Sequence, residues 1–450
     1  MDLLAQIPLV GPLLTTVLPF LLVLGIVVFV HEFGHYIVGR WCGIGADVFS
    51  IGFGREIAGW TDRRGTRWRV GVLPLGGYVK FIGDNDASSA HADAERLARL
   101  SPGNRARSFH LSSVERRALT VAAGPLANFL LSILIFGTMA MWQGRAVDEP
   151  VIGSLGADVN PEFATAVGPG DRILAVDGRP VADFGALQTA LAESEGREMS
   201  LRVAKDGQER TVGASYRPSA RVDSVAPGGA ADEAGLRAGD VIEAVDGDPV
   251  SGFSDLQRRV LNSEGRTLSL TVRRDDERLV VSATPRMTEI VDAVTGEAVM
   301  RPLLGVQKLQ REILPATEAV GPFSALGFGA ARTWAVIDLS LSGIGQVVSG
   351  AQDAREVLGG PVRIAEVSGE AASDGFVTLI GLIAVLSTSI GLINLFPVPI
   401  LDGGHLMFYA IEKVRGRPLR ERWQEIGNGI GLALVLSLMI FATFNDLSRL

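Results

Sequence analysis

The sequence predicts a multi-pass α-helical membrane protein with four transmembrane helices, a membrane-associated β-hairpin and two extracytoplasmic α+β domains. Three observations carry that prediction. Four apolar stretches are each long enough for the roughly 20 residues that cross a bilayer. A glycine-punctuated segment after the first of them alternates apolar and polar residues, and a block in the polar middle recurs 69 residues later. A mean hydropathy of only +0.28 conceals the split between apolar blocks and polar middle.

The first helix lies within residues 1–38. No charged residue occurs from Leu3 to Val30. The stretch lacks a basic n-region and a small-residue cleavage site, so it reads as a retained span and not a signal peptide. The second span is 118–141. The third segment, 374–411, is apolar over 376–396, and the fourth helix is 426–445 after a short connection, 412–425. Lys and Arg mark cytoplasmic loops. Residues 40–117 hold 13 of them, and the connection before the fourth helix holds Lys413, Arg415, Arg417, Arg420 and Arg422. Both loops are therefore expected inside, with both termini and residues 143–370 outside. That outer block carries 34 Asp/Glu against 23 Lys/Arg. Such acidity excludes a nucleic-acid partner, which requires a basic face. The single cysteine, Cys42, leaves the outer block without a disulfide.

The first span ends in His31-Glu32-Phe33-Gly34-His35. Residues i and i+4 share a helix face about 6 Å apart along the axis. Two imidazoles so placed can share one zinc ion, with the intervening glutamate as general base. Ionisable side chains at bilayer depth cost roughly a few kcal/mol each and usually mark function. The region 39–117 follows. Its segment around Gly71-Val72-Leu73-Pro74-Leu75-Gly76-Gly77-Tyr78-Val79-Lys80 alternates with period two and reads as a β-hairpin. Strand edges cannot face lipid, so at membrane depth such a hairpin lines a protein cavity, while on the pattern alone a cytoplasmic hairpin fits equally well. Asp84–Arg107 reads as a polar, flexible stretch, and His91 and His110 as surface residues. The second span opens with Gly124-Pro125-Leu126-Ala127-Asn128, a close-packing signal between membrane helices.

In the outer block, Val167-Gly168-Pro169-Gly170-Asp171-Arg172-Ile173-Leu174-Ala175-Val176-Asp177-Gly178 recurs as Leu236-Arg237-Ala238-Gly239-Asp240-Val241-Ile242-Glu243-Ala244-Val245-Asp246-Gly247. With Pro227-Gly228-Gly229-Ala230 and Ala234-Gly235-Leu236 before it, the second copy resembles a PDZ domain; the first lacks that Ala-Gly-Leu step. The expected domains are 145–217 and 218–288. PDZ domains bind peptide ends by strand addition, which makes the second copy a candidate peptide binder, against a reading of both as spacers. Residues 289–373 are expected to be an extracytoplasmic amphipathic helical region, with Ala330–Val348 lying on the membrane surface.

A catalytic zinc takes three protein ligands. The third segment supplies two candidates in Asn394-Leu395-Phe396-Pro397-Val398-Pro399-Ile400-Leu401-Asp402-Gly403-Gly404-His405. Its two prolines break the helix. Asp402 then stands as a metal ligand or a helix cap, and Asp402 and His405 compete as third ligand on chemistry alone.

Together, HEFGH, Gly-Pro-x-x-Asn and Asn-x-x-Pro-x-Pro-x-Leu-Asp-Gly resemble the site-2 protease family of intramembrane zinc metalloproteases. The Pro-Leu-Gly-Gly-Tyr-Val hairpin, tandem PDZ-like repeats and four spans are similar to its bacterial regulator-of-sigma-E protease type, over nearly the whole chain. The resemblance implies one zinc per chain on His31, His35 and Asp402, with Glu32 as catalytic base. It implies substrate binding by Asn394 and by the hairpin at Gly76, Gly77, Tyr78 and Val79. It further implies substrates that are single-span membrane proteins already trimmed outside, an anti-sigma factor or signal-peptide remnants, in a stress response. The PDZ-like pair would act as a size filter. A membrane-anchored PDZ scaffold with a non-catalytic zinc site is the alternative.

Overall fold

The computed structural model describes residues 13–84, 100–156, 159–194, 196–226, 229–275, 277–291, 298–308, 312–350 and 359–448. His91 lies outside them. The chain forms two compact units, one from the residues up to Trp142 together with those from Val320, the other from Gln143–Ala319.

In the first unit, α1 (Leu18–Trp41) begins with Pro19 in its first turn, where the missing N–H costs nothing. Next come β1 (Ala46–Thr61) and β2 (Arg67–Phe81), then α2 (Val114–Gln143). The two strands do more than form a simple hairpin. Phe49 pairs with both Val79 and Trp68, and Ala58 pairs with Val70. Both strands therefore bend, and the sheet runs 77–81, 46–51, 67–70, 58–61. Gly52, at φ 82°, permits one bend. Residues 77–81 form an edge, since among the described residues no strand pairs with their other side. Phe49 and Phe81 bury the sheet against Tyr36 of α1 and against Phe109.

The second unit contains the repeat. In the first copy, β3 (Ile152–Leu155) precedes β4 (Arg172–Val176), α3 (Phe184–Glu193), β5 (Glu198–Lys205) and β6 (Gln208–Ser215). The second has β7 (Val241–Val245), α4 (Phe253–Leu261), β8 (Leu268–Arg274) and β9 (Glu277–Ala283). Each copy makes a four-stranded sheet of the same order, opened by a short strand at Arg179–Pro180 or Asp248–Pro249. The turns at Asp177-Gly178 and Asp246-Gly247 hold both residues at positive φ, the conformation tight hairpin turns need. Each copy has its own apolar core, around Leu201 and Val203 in one and Leu270 and Val272 in the other.

Residues 289–291, 298–308 and 312–318 depart from the helical expectation. They form the hairpin β10 (Arg286–Val291) and β11 (Ala298–Leu303), then short strands, of which β12 (Ile313–Pro315) pairs with β3. The first copy is thus completed by residues that follow the second. The physical reason is the unpaired edge of β3, which a short returning strand satisfies.

The chain then returns to the first unit with α5 (Pro322–Val348), α6 (Pro361–Asp374), α7 (Phe376–Asn394), α8 (Asp402–Arg415) and α9 (Glu421–Leu447). Gly329 of α5 abuts α2, where a Cβ would stand 2.2 Å from the Ile133 carbonyl. Among the described residues, four helices are long and apolar enough to cross a membrane: Leu14–Trp41, Val114–Gln143, Phe376–Asn394 and Arg422–Leu447. Leu22, Leu126, Leu130, Ile430 and Phe444 are exposed on them, which lipid tolerates and water does not.

Candidate metal centre

α1 presents His31 and His35 one turn apart, both buried, with ring planes nearly perpendicular and Nε2 atoms 3.3 Å apart. Small residues make this packing possible. A Cβ on Gly124 of α2 would sit 2.3 Å from His35 Nε2, and one on Gly34 would sit 2.4 Å from the Ala123 carbonyl. Pro125, one residue on, cannot donate to the helix ladder. His35 Nδ1 lies 2.9 Å from the Thr120 carbonyl oxygen. A carbonyl only accepts, so Nδ1 carries the hydrogen and Nε2 keeps its lone pair.

The carboxylate arrives from a different element. α7 ends at Asn394, and the turn through Pro397 and Pro399 carries Ile400 at φ 87°, a strained conformation for a β-branched residue. Gly403 and Gly404 allow the turn to fold back on itself, since a Cβ on either would fall within 2.4 Å of a backbone carbonyl oxygen. Asp402 opens α8, but the cap position is Leu401. The carboxylate is therefore not the cap that the sequence left open. Instead its Oδ2 lies 3.2 Å from His31 Nε2 and 3.4 Å from His35 Nε2. The same oxygen is buried without a hydrogen bond.

These three atoms form a nearly equilateral triangle with edges of 3.2, 3.3 and 3.4 Å. Ligands about 2.1 Å from a tetrahedral zinc ion stand about 3.4 Å apart. Two imidazole nitrogens and a carboxylate oxygen that finds no donor are thus the right atoms at the right spacing. His405 is not part of this cluster.

A cavity of about 220 Å³ adjoins the triangle. Glu32 faces it, and its carboxylate accepts a hydrogen bond from the Val79 backbone. Gly77 presses on the same side chain, since a Cβ there would stand 2.9 Å from Glu32 Cγ. The strand edge thus lies directly against α1. Gly77, Tyr78, Val79 and Asn394 line the cavity, as do His405 and Tyr409. Gly76 does not. Its φ of 129° turns the chain, with Phe53 beside it.

Three partners escaped sequence reasoning: Thr120, Gly124 and Asn128. The Asn128 amide lies 3.3 Å from His31 Nδ1 and is fully buried. The Gly-Pro-x-x-Asn motif was the available signal, read as packing alone. His110 is not a surface residue. Its side chain is only 15% exposed, and Nε2 lies 3.0 Å from Asp84 Oδ1. Asp84 also accepts from the Phe81 amide and so fastens the end of the 77–81 edge.

A buried histidine–carboxylate triangle inside a bundle of membrane-length helices defines a membrane metallohydrolase as the class. The model of peptidase family M50 matches residues 19–438. A protein of Agrobacterium fabrum, named provisionally as a zinc metalloprotease, is 39% identical over 96% of this chain and 96% of its own. A similarly named protein of Rhizobium meliloti is 39% identical over 97% of each. The regulator of sigma-E protease RseP of Salmonella typhimurium is 33% identical over 96% of this chain and 98% of its own. The chain belongs to peptidase family M50 and is a metalloprotease of the site-2 type.

Proposed function

We propose that this protein is an intramembrane zinc endopeptidase that cuts single-span membrane proteins. The observation that carries the reading is the triangle of His31, His35 and Asp402 sharing one cavity with Glu32 and an open strand edge. The three side chains would hold one zinc ion. Zinc bound there supplies Lewis acidity that lets a water act as a nucleophile near neutral pH.

The remaining steps belong to the chain. Glu32 takes the proton from the attacking water and returns it to the leaving amine, as a carboxylate within reach of both does. The edge at Gly77–Phe81 offers backbone groups to an unwound substrate, replacing its helical hydrogen bonds with ladder bonds. Asn394, at the end of α7, binds the substrate backbone.

The protein resides in a bacterial inner membrane with both termini and the repeat unit in the periplasm, a placement supported by the distribution of Lys and Arg. The two repeats are PDZ-like domains that select substrates already shortened outside, and the second also takes a peptide. Natural substrates are an anti-sigma factor or signal-peptide remnants, in keeping with the name of the Salmonella typhimurium relative. The intact Glu32 and its seat beside the strand edge favour this reading over a non-catalytic scaffold.

The test is cleavage of a short single-span substrate by the purified protein in detergent, beside Glu32→Gln and a chelator-treated sample. Cleavage lost under both treatments supports the proposal. Cleavage that survives either one overturns it.

A further inference from the structure

Asn128 is fully buried in α2, one side of its amide against His31 and its backbone at the junction with α7. Its own carbonyl oxygen accepts from Ser387 Oγ at 2.9 Å and Ser132 Oγ at 3.0 Å. The single Ser132 Oγ hydrogen is shared with the Ala384 carbonyl, 2.8 Å away. The backbone is therefore fully engaged between helices, and only the side-chain amide remains to face the metal ligands. Gly391 closes the space behind it, since a Cβ there would stand 3.2 Å from Asn128 Cβ.

The amide as placed sets Nδ2 toward His31 Nδ1 and leaves Oδ1 buried with no hydrogen-bond partner. An amide nitrogen only donates, so that arrangement makes Nδ1 the acceptor and puts the ring hydrogen on Nε2. That hydrogen would point into the triangle, where a lone pair is needed. A half-turn of the amide removes both faults, although it turns Nδ2 to the side where Oδ1 had no partner. Oδ1 then accepts from Nδ1–H, the buried orphan is satisfied, and Nε2 keeps its lone pair. The result matches His35, whose Nδ1 is held in the same sense by the Thr120 carbonyl. Metal-binding histidines ordinarily have their second nitrogen fixed in this way.

We propose that Asn128 is a positioning residue for His31, accepting a hydrogen bond from its Nδ1 and so fixing the tautomer and ring orientation that bind metal. This deepens the proposed zinc site and rests on it. It differs from a packing role because it requires an acceptor at this point and not merely a side chain of the right size.

The experiment titrates zinc into the metal-stripped full-length protein in detergent and reads affinity, with thermal stability measured alongside. Asn128→Ala should bind zinc about 10- to 100-fold more weakly, the usual loss on removing such a partner. Asn128→Asp, which accepts but cannot donate, should bind at least as tightly as wild type. Ser132→Ala breaks the neighbouring contact between helices and should leave zinc affinity unchanged while lowering stability. Wild-type affinity in Asn128→Ala overturns the inference, as does a loss in Ser132→Ala equal to that in Asn128→Ala. If Asn128→Ala does not fold, Asn128→Asp decides alone, since weakened binding there contradicts an accepting Oδ1. A wild-type protein that binds no zinc overturns the metal site itself, and the inference with it.

Discussion

Buried polar groups in the two units behave differently. In the repeat unit the buried carboxylates are engaged with their own chain through at least one oxygen, although Asp171 Oδ1 has no partner. Asp171 accepts from the Gly168 amide and from Arg210, each at 2.8 Å. Asp240, at the matching place in the second copy, accepts from the Arg237 amide and from both Arg274 nitrogens. Glu312 takes Lys308, the Tyr216 hydroxyl and the Ser219 amide. In the membrane unit, the Asp402 oxygen nearest two imidazoles has no donor. An unpartnered oxygen by itself does not set Asp402 apart, since Asp171 has one too; its place against two imidazole nitrogens does.

That contrast predicts opposite effects from substitutions in the two units. The largest belongs to Glu32→Gln, which should retain zinc and lose about 10²- to 10⁴-fold in turnover, the range for removing a general base. Substrate cleavage rates at matched zinc content check this. Next is Gly124→Ala. Its Cβ cannot coexist with His35 Nε2 at 2.3 Å, so zinc affinity and turnover should fall together, by about 10- to 100-fold. Equal affinity in the variant would show that the helix–helix contact is looser than described.

The converse holds for Asp240→Asn. It should cost about 1–3 kcal/mol in the second copy, less than a fully buried pair because Arg274 is partly exposed. Zinc binding should not change. Hydrogen exchange of the full-length protein resolves the effect locally. A loss of zinc affinity would erase the distinction between the units.

The smallest effect is a pH dependence. Burial raises the Asp255 carboxyl, but the Ser251 amide, Arg259 and Arg258 outweigh it and lower the group to about 2. The unfolded carboxyl titrates near ~3.9. The stabilisation is therefore complete above about pH 4 and is lost as pH falls toward 2, for a total of about 1–2 kcal/mol. Asp255→Asn should flatten that part of the stability profile of the second copy, and an unchanged slope would assign the dependence elsewhere.

Local features were readable from the sequence and distant ones were not. The membrane-length helices follow from uninterrupted apolar runs, and the histidine pair from i, i+4 spacing within one helix. On chemistry alone Asp402 leads His405 only narrowly and the family resemblance favours it; the fold back at Gly403 and Gly404 brings it, and not His405, into the triangle. Asn128 and Thr120 reach histidines 97 and 85 residues away, and no periodicity encodes such a contact. The insertion of one repeat into the other was hidden for a similar reason. It depends on β12, a strand of three residues, too short to show alternation. His110 was misread because its partner, Asp84, follows the hairpin while the histidine precedes α2.

The most direct test of the metal centre is the zinc content of the purified wild-type, Glu32→Gln, Asp402→Ala and His405→Ala proteins, measured by elemental analysis. One zinc per chain is expected in all but Asp402→Ala, which should be depleted. Full occupancy in Asp402→Ala together with depletion in His405→Ala would contradict the triangle as the place where metal binds.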